Sequence, residues 1–172
     1  MEEERRDLLD LSFHETEVKL AKKMIDTLRT SMEFLYYLMD HRDTPAFTMI
    51  LLSTENLKLN TLLPLWKRQS DLLFELDEEK NIYVLICQST DTKGAKKFVD
   101  ILLSNISVYK SSKTYCVGTE LYSTENSIQD VVFKLVEQYM ITKRDNDANK
   151  IVFTRVMKDS RLFENNVIYN DA

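Results

Sequence analysis

Arg68–Gln88, RQSDLLFELDEEKNIYVLICQ, is the stretch that decides the fold of this chain. It opens on an Arg-x-x-Asp pair, Arg68 and Asp71, and runs on into Leu72–Leu76 and Ile82–Cys87. Both runs are apolar and of strand length, and the polar residues Asp77–Asn81 join them. Strand-forming runs separated by a short polar connection predict a β-hairpin.

Upstream of the hairpin, Ala46–Ser53 (AFTMILLS) is almost continuously apolar, as expected of a central strand covered on both faces. Asn60–Lys67 reads as a short helix with Leu62, Leu63 and Trp66 on one side, and Trp66 is expected to anchor beneath the sheet. Pro64 fits only its first turn. Downstream, Thr90 or Asp91 caps a helix whose Ala95, Phe98, Val99, Leu102, Leu103 and Ile106 trace one buried face. Lys113–Leu121 reads as a strand. A further helix opens near Ser123–Asn126 and runs to about Thr142, with Ile128, Val131, Val132, Leu135, Val136 and Tyr139 inward. Polar Lys143–Asn149 is a loop before a last strand, Asn149–Val156.

A long helix comes first. Leu11, His14, Val18, Ala21, Ile25, Leu28, Met32, Leu35 and Met39 are spaced alternately by three and four residues, the stripe of a heptad seam. Such a seam packs either on the chain's own sheet or on a second copy. In the second case Val18, Ile25, Leu28, Met32 and Leu35 are the interface. Phe34, Tyr37 and Leu38 widen the apolar surface, and Pro45 ends the helix.

The order is therefore α, then β-α-β-β-α-β, then α-β: an α+β fold around a ferredoxin-like block. Right-handed crossovers place both helices of that block on one face of an antiparallel sheet, and the N-terminal helix is expected to join the same layer. Residues 1–44 form the N-terminal helix, 45–157 the α+β domain and 158–172 a tail.

Composition narrows the function. A chain of 172 residues with 44% hydrophobic and 30% charged residues folds as one soluble domain. Only 2 Gly and 2 Pro argue against Gly-rich phosphate cradles and long linkers. A net charge of −5 gives no general attraction to nucleic acid or to anionic membrane. Lys93, Lys96 and Lys97 read as a solvated helix face. Cys87 and Cys116 lie in separate apolar strands without metal-ligand spacing, and are expected as buried, reduced thiols. His14 and His41, the only histidines, belong to the first helix or its end and make no catalytic constellation. Acidic MEEERRDLLD lacks the apolar core of a signal peptide, so the expected compartment is the cytoplasm and the chain is read as complete from Met1. No cofactor and no metal are expected.

Several local matches then resemble GGDEF domains, the bacterial diguanylate cyclases. Leu51-Leu52-Ser53-Thr54-Glu55-Asn56-Leu57-Lys58 has the shape of the family's Asp-x-Asp-x-Phe-Lys run at the end of its first strand. Arg68-Gln69-Ser70-Asp71 resembles its R-x-x-D, and Leu72–Leu76 fills the interval before the signature turn. Gln88–Ala95 is similar to the "P-x-T-D-x-x-G-A" lead into the next helix, and Tyr115–Tyr122 to the strand carrying "S-x-G-x-A". The similarity covers Phe47 to Val156 and rests on the order and spacing of the motifs.

The departures carry the functional expectation. In the cyclases, carboxylates on the first strand and the signature turn hold two divalent metals that neutralise the triphosphate and activate the attacking hydroxyl. Here Ser53 stands at the first of those carboxylates, and Asp77 and Glu78 replace the glycines that admit the nucleotide. Glu55 and Glu79 remain as carboxylates, which solvated surface explains equally well. The segment between Lys58 and Arg68 is too short for the family's phosphate loop and long helix. The resemblance thus implies a degenerate, shortened GGDEF domain without catalysis, acting in signalling through protein contacts, as a homodimer or on a partner. A second expectation is a receptor for cyclic di-GMP or another guanine nucleotide, with Arg68 forking onto guanine or phosphate and Asp71 accepting from guanine N–H groups. Arg144-Asp145-Asn146-Asp147 satisfies the same R-x-x-D pattern, so an ordinary ion pair competes with that reading. Residual cyclase activity on GTP is the third.

Overall fold

The computed structural model describes residues 2–42 and 45–156, with side chains over 15–41 and 45–156. The tail, 158–172, lies outside the described residues, as do the side chains of Leu11, His14 and Arg42.

The chain runs α1 (Glu2–Arg42), β1 (Phe47–Thr54), α2 (Leu63–Trp66), β2 (Leu72–Asp77), β3 (Ile82–Cys87), α3 (Thr92–Tyr109), β4 (Thr114–Leu121), α4 (Ile128–Arg144) and β5 (Lys150–Phe153). The strands make one sheet in the order β2-β3-β1-β4-β5. β1 lies at its centre, antiparallel to β3 and to β4, and all eight of its residues are buried. The expected hairpin is present: β2 and β3 pair antiparallel with Leu73 opposite Leu85, and a register shift falls between Glu75 and Asp77. The four strands of the ferredoxin-like block are antiparallel, as expected, and the added β5 joins parallel to β4, so the whole sheet is mixed. The β4-α4-β5 segment lies outside the ferredoxin-like block, which accounts for the parallel pair.

Side chains on adjacent positions of a strand point to opposite faces, and each face here has its own core. Ile50, Leu52, Tyr83, Leu85, Cys87 and Cys116 pack with Leu63 of α2 and with Ala95, Val99, Leu102 and Ile106 of α3. Both helices of the ferredoxin-like block therefore share one face, as expected. Met49, Leu51, Val84, Ile86 and Val117 point the other way, onto α1 and α4. The expectation that α1 joins the layer of the other helices is corrected: α1 and α4 form a second layer on the opposite face. Strands that are apolar on both faces cannot leave one of them open to water, and α1 and α4 bring the apolar stripes that close it.

On α1 the buried residues are Ala21, Met24, Leu28, Met32 and Leu35. Three residues of the expected interface, Leu28, Met32 and Leu35, thus lie buried in the chain's own core. Val18 is 52% exposed and Ile25 sits half-buried at the margin. Phe34 and Tyr37, 60% and 52% exposed, open on the outer side of the helix.

The helices start where the side chains supply acceptors. Asp91 accepts from the Gly94 N–H at 2.8 Å and Ser127 from the Asp130 N–H at 3.1 Å, each filling one otherwise unpaired donor of a first turn. Lys143 and Arg144 close α4, where cations match the negative end of the helix. Between β1 and β2 the chain affords α2 alone, a single turn with Pro64 at its start.

Candidate functional site

The expected site residues fall into two places at opposite ends of the hairpin. From Leu72 to Asp77 the chain climbs about 17 Å at ~3.3 Å per residue.

At the turn end, a cleft of about 400 Å³ is lined by Ser53, Glu55, Glu78 and Glu79, with Lys58, Lys80, Lys143 and Tyr115 beside them. The sheet builds it, because β1 and β3 run side by side with Ser53 opposite Ile82. Of the degenerate positions only Asp77 does not line this cleft; its Oδ1 accepts the Lys80 N–H at 3.0 Å and caps the turn. Glu55, Glu78 and Glu79 are exposed. Ser53 is buried, and its hydroxyl shares a 2.7 Å hydrogen bond with the Tyr139 hydroxyl of α4. Burial pushes the Tyr139 phenol above its ordinary range, against the pull of Ser53. Among the described residues no three His, Cys, Asp or Glu side chains converge in a way that fits a metal ion.

Asn81 organises this end. It sits in the left-handed region at φ 57°, its Nδ2 donates to the Thr54 and Leu57 carbonyls at 2.8 and 2.6 Å, and its Oδ1 accepts the Leu59 N–H at 3.1 Å. One buried amide thereby ties the turn to the loop leaving β1. Asn closing a tight turn is the local signal for such a role, since it tolerates that backbone region. Nothing in the sequence marks Tyr139 as the partner of Ser53.

At the other end, Arg68 and Asp71 meet each other. The guanidinium Nε donates to both Asp71 oxygens at 3.1 and 3.0 Å, and Nη2 donates to Oδ1 at 2.8 Å. The Arg68 backbone N–H donates to Oδ2 at 2.9 Å, and Nη2 also reaches Thr90 Oγ1 at 2.7 Å. The Asp71 side chain is 0% exposed and that of Arg68 44%. Arg68 lies over the Phe98 ring, 5.6 Å from its centroid. The hydrogen bond to Asp71 raises the guanidinium further above its ordinary value. Thr90 is itself fixed: its hydroxyl donates to the Gln88 carbonyl at 2.8 Å, and its carbonyl accepts from Thr48 at 2.7 Å. The pair therefore clamps the start of β2 to the turn before α3. Cys87 lies beside it, its thiol pushed up to about 12, chiefly by burial and then by the Asp71 carboxylate. Cys116 is likewise a free, buried thiol.

No protein-family model and no curated protein sequence matches this chain significantly. Solved structures do. A microbial GGDEF domain, described in its interaction with cyclic di-GMP, superposes with a TM-score of 0.55 at 8% identity, over 73% of this chain and 90% of that one. The diguanylate cyclase SiaD of Pseudomonas aeruginosa, in complex with its activator SiaC, superposes with a TM-score of 0.58 at 12% identity, over 89% of this chain and 68% of that one. The chain has the GGDEF-type palm fold with an N-terminal helix. At such identities the likeness concerns the fold alone.

Proposed function

We propose that this chain is a catalytically inactive GGDEF-like domain that works in bacterial cytoplasmic signalling by protein–protein contact. One observation carries the reading. At the end of β1, where a cyclase presents a metal-binding carboxylate, Ser53 turns inward and spends its hydroxyl on Tyr139. The turn opposite carries Asp77 and Glu78 where glycines would admit a nucleotide, and carboxylates there repel phosphate. The SiaD neighbour is seen with a protein activator, which supports contact as a mode of action for this fold. On this chain the surface for it is the outer side of α1, with Phe34, Tyr37 and Val18 exposed. Either a second copy or a signalling partner docks there.

Size-exclusion chromatography with light scattering tests the homodimer form of the proposal. A dimer that dissociates in Phe34→Glu supports it, and a monomer at high concentration leaves a heterologous partner as the only form of contact.

Reception of cyclic di-GMP by Arg68 and Asp71 is the lesser reading. Both Asp71 oxygens are already engaged by Arg68, so the pair would have to open before guanine N–H groups found an acceptor. Calorimetry with the dinucleotide is expected to give no binding heat.

A further inference from the structure

We infer a second binding site, for a small phosphorylated organic anion, in the cleft where α1 meets α4 and the end of the β2–β3 hairpin. This cleft has a volume of about 320 Å³ and receives four lysines from three elements: Lys19 and Lys23 from α1, Lys80 from the hairpin turn and Lys143 from α4. The fold forces them together. Ala21 and Met24, buried between and beside the two α1 lysines, seat the helix in the core it shares with Val136 and Tyr139 of α4.

The charge of the cleft is unbalanced. Among the described residues that line it, Asp77 is the only acidic side chain, and that carboxylate already accepts a backbone N–H of the turn. Among the described residues none of the four ammonium groups forms an ion pair. The chain as a whole carries −5, so this excess of positive charge is no reflection of a basic composition. Nor does it extend evenly into the neighbouring cleft. That cleft shares Lys80 and Lys143, but there Glu55, Glu78 and Glu79 offset them and Lys58. An anion is therefore favoured on the α1 side, where four exposed lysines line one cleft with a single acidic side chain among its described residues.

Size and lining fix the chemical class. The volume lies at the lower end of the range for small-molecule sites and is too small for a helix or a folded loop. Its apolar wall consists of Leu20, Ile82 and Met140, with the Tyr139 ring beside them. Phosphate oxygens answer the lysines, and a compact ring or short aliphatic body covers the wall. Such a ligand bridges α1 to the palm. The site is independent of the protein-contact proposal, because it needs neither a dimer nor a partner.

The test is calorimetry on the full chain at low ionic strength, with tripolyphosphate and phenyl phosphate as probes. Saturable binding of both is expected, weakened about tenfold or more in Lys19→Ala/Lys23→Ala, a factor worth about 1.4 kcal/mol. Lys93→Ala/Lys97→Ala, on α3 and outside the cleft, is expected to bind as the parent does. Circular dichroism verifies both variants, and Ala in a helix favours folding. Added salt should weaken the binding. Absence of saturable binding by either probe overturns the proposal, and so does an equal loss in the two double variants.

Discussion

Removing Arg68 should destabilise this protein more than removing its partner, and the reason lies in an unequal burial. Asp71 is 0% exposed at its side chain, while Arg68 is 44% exposed. Arg68→Ala strips a wholly buried carboxylate of its guanidinium and leaves it the backbone N–H at position 68. Deleting one member of a fully buried pair costs ~3–5 kcal/mol. Water reaches this pair from the arginine side, which reduces the expected loss to about 2–3 kcal/mol. Asp71→Ala leaves a guanidinium that can turn to solvent, so the cost is nearer that of one charge-assisted hydrogen bond, ~1.5–2 kcal/mol. The double variant holds no stranded charge and should be about as stable as Asp71→Ala alone, giving a coupling energy equal to the Arg68→Ala loss, about 2–3 kcal/mol. Urea denaturation of the four proteins, with equal m-values, measures these differences. An Arg68→Ala loss smaller than that of Asp71→Ala, or additive single losses, refutes the clamp.

Two further substitutions probe the frame around the sites. Asn81→Gly keeps the left-handed backbone but gives up three hydrogen bonds, and should lower stability by about 2 kcal/mol in thermal melts; an unchanged melting point would show that the amide does not hold the turn to the β1 loop. At Gly118 an added Cβ would meet Ile151 Cδ1 at 3.0 Å and the Phe153 ring at 3.1 and 3.3 Å. Gly118→Val should therefore cost ~1–3 kcal/mol and raise hydrogen exchange in β5, and protection equal to the parent's would contradict the close β4–β5 packing.

Local features of the sequence were the readable ones. Ile82–Cys87 is bounded by polar residues on both sides and falls in the structure where the pattern placed it. β1 shifts by a single residue. Asp91, one of two candidate caps, is the one that caps α3. Phasing on α1 was harder. Met24 and Ile25 are both apolar and lie about 100° apart on the helix, so spacing alone cannot say which is fully buried. The layer that α1 occupies depends on which face of the sheet α3 leaves open, a tertiary fact with no local trace. The same holds for the sites. R-x-x-D was visible, but not that Thr90 completes it across 22 residues. Ser53 was visible as a missing carboxylate, whereas its bond to Tyr139 spans 86 residues and has no signature in either segment.

The most direct test of the proposed loss of catalysis is incubation of the purified chain with GTP and magnesium or manganese, followed by chromatography of the nucleotides. With the Ser53 hydroxyl tied to Tyr139 and no carboxylate at that position, GTP should be recovered intact. Metal-dependent accumulation of cyclic di-GMP or pyrophosphate would contradict the account.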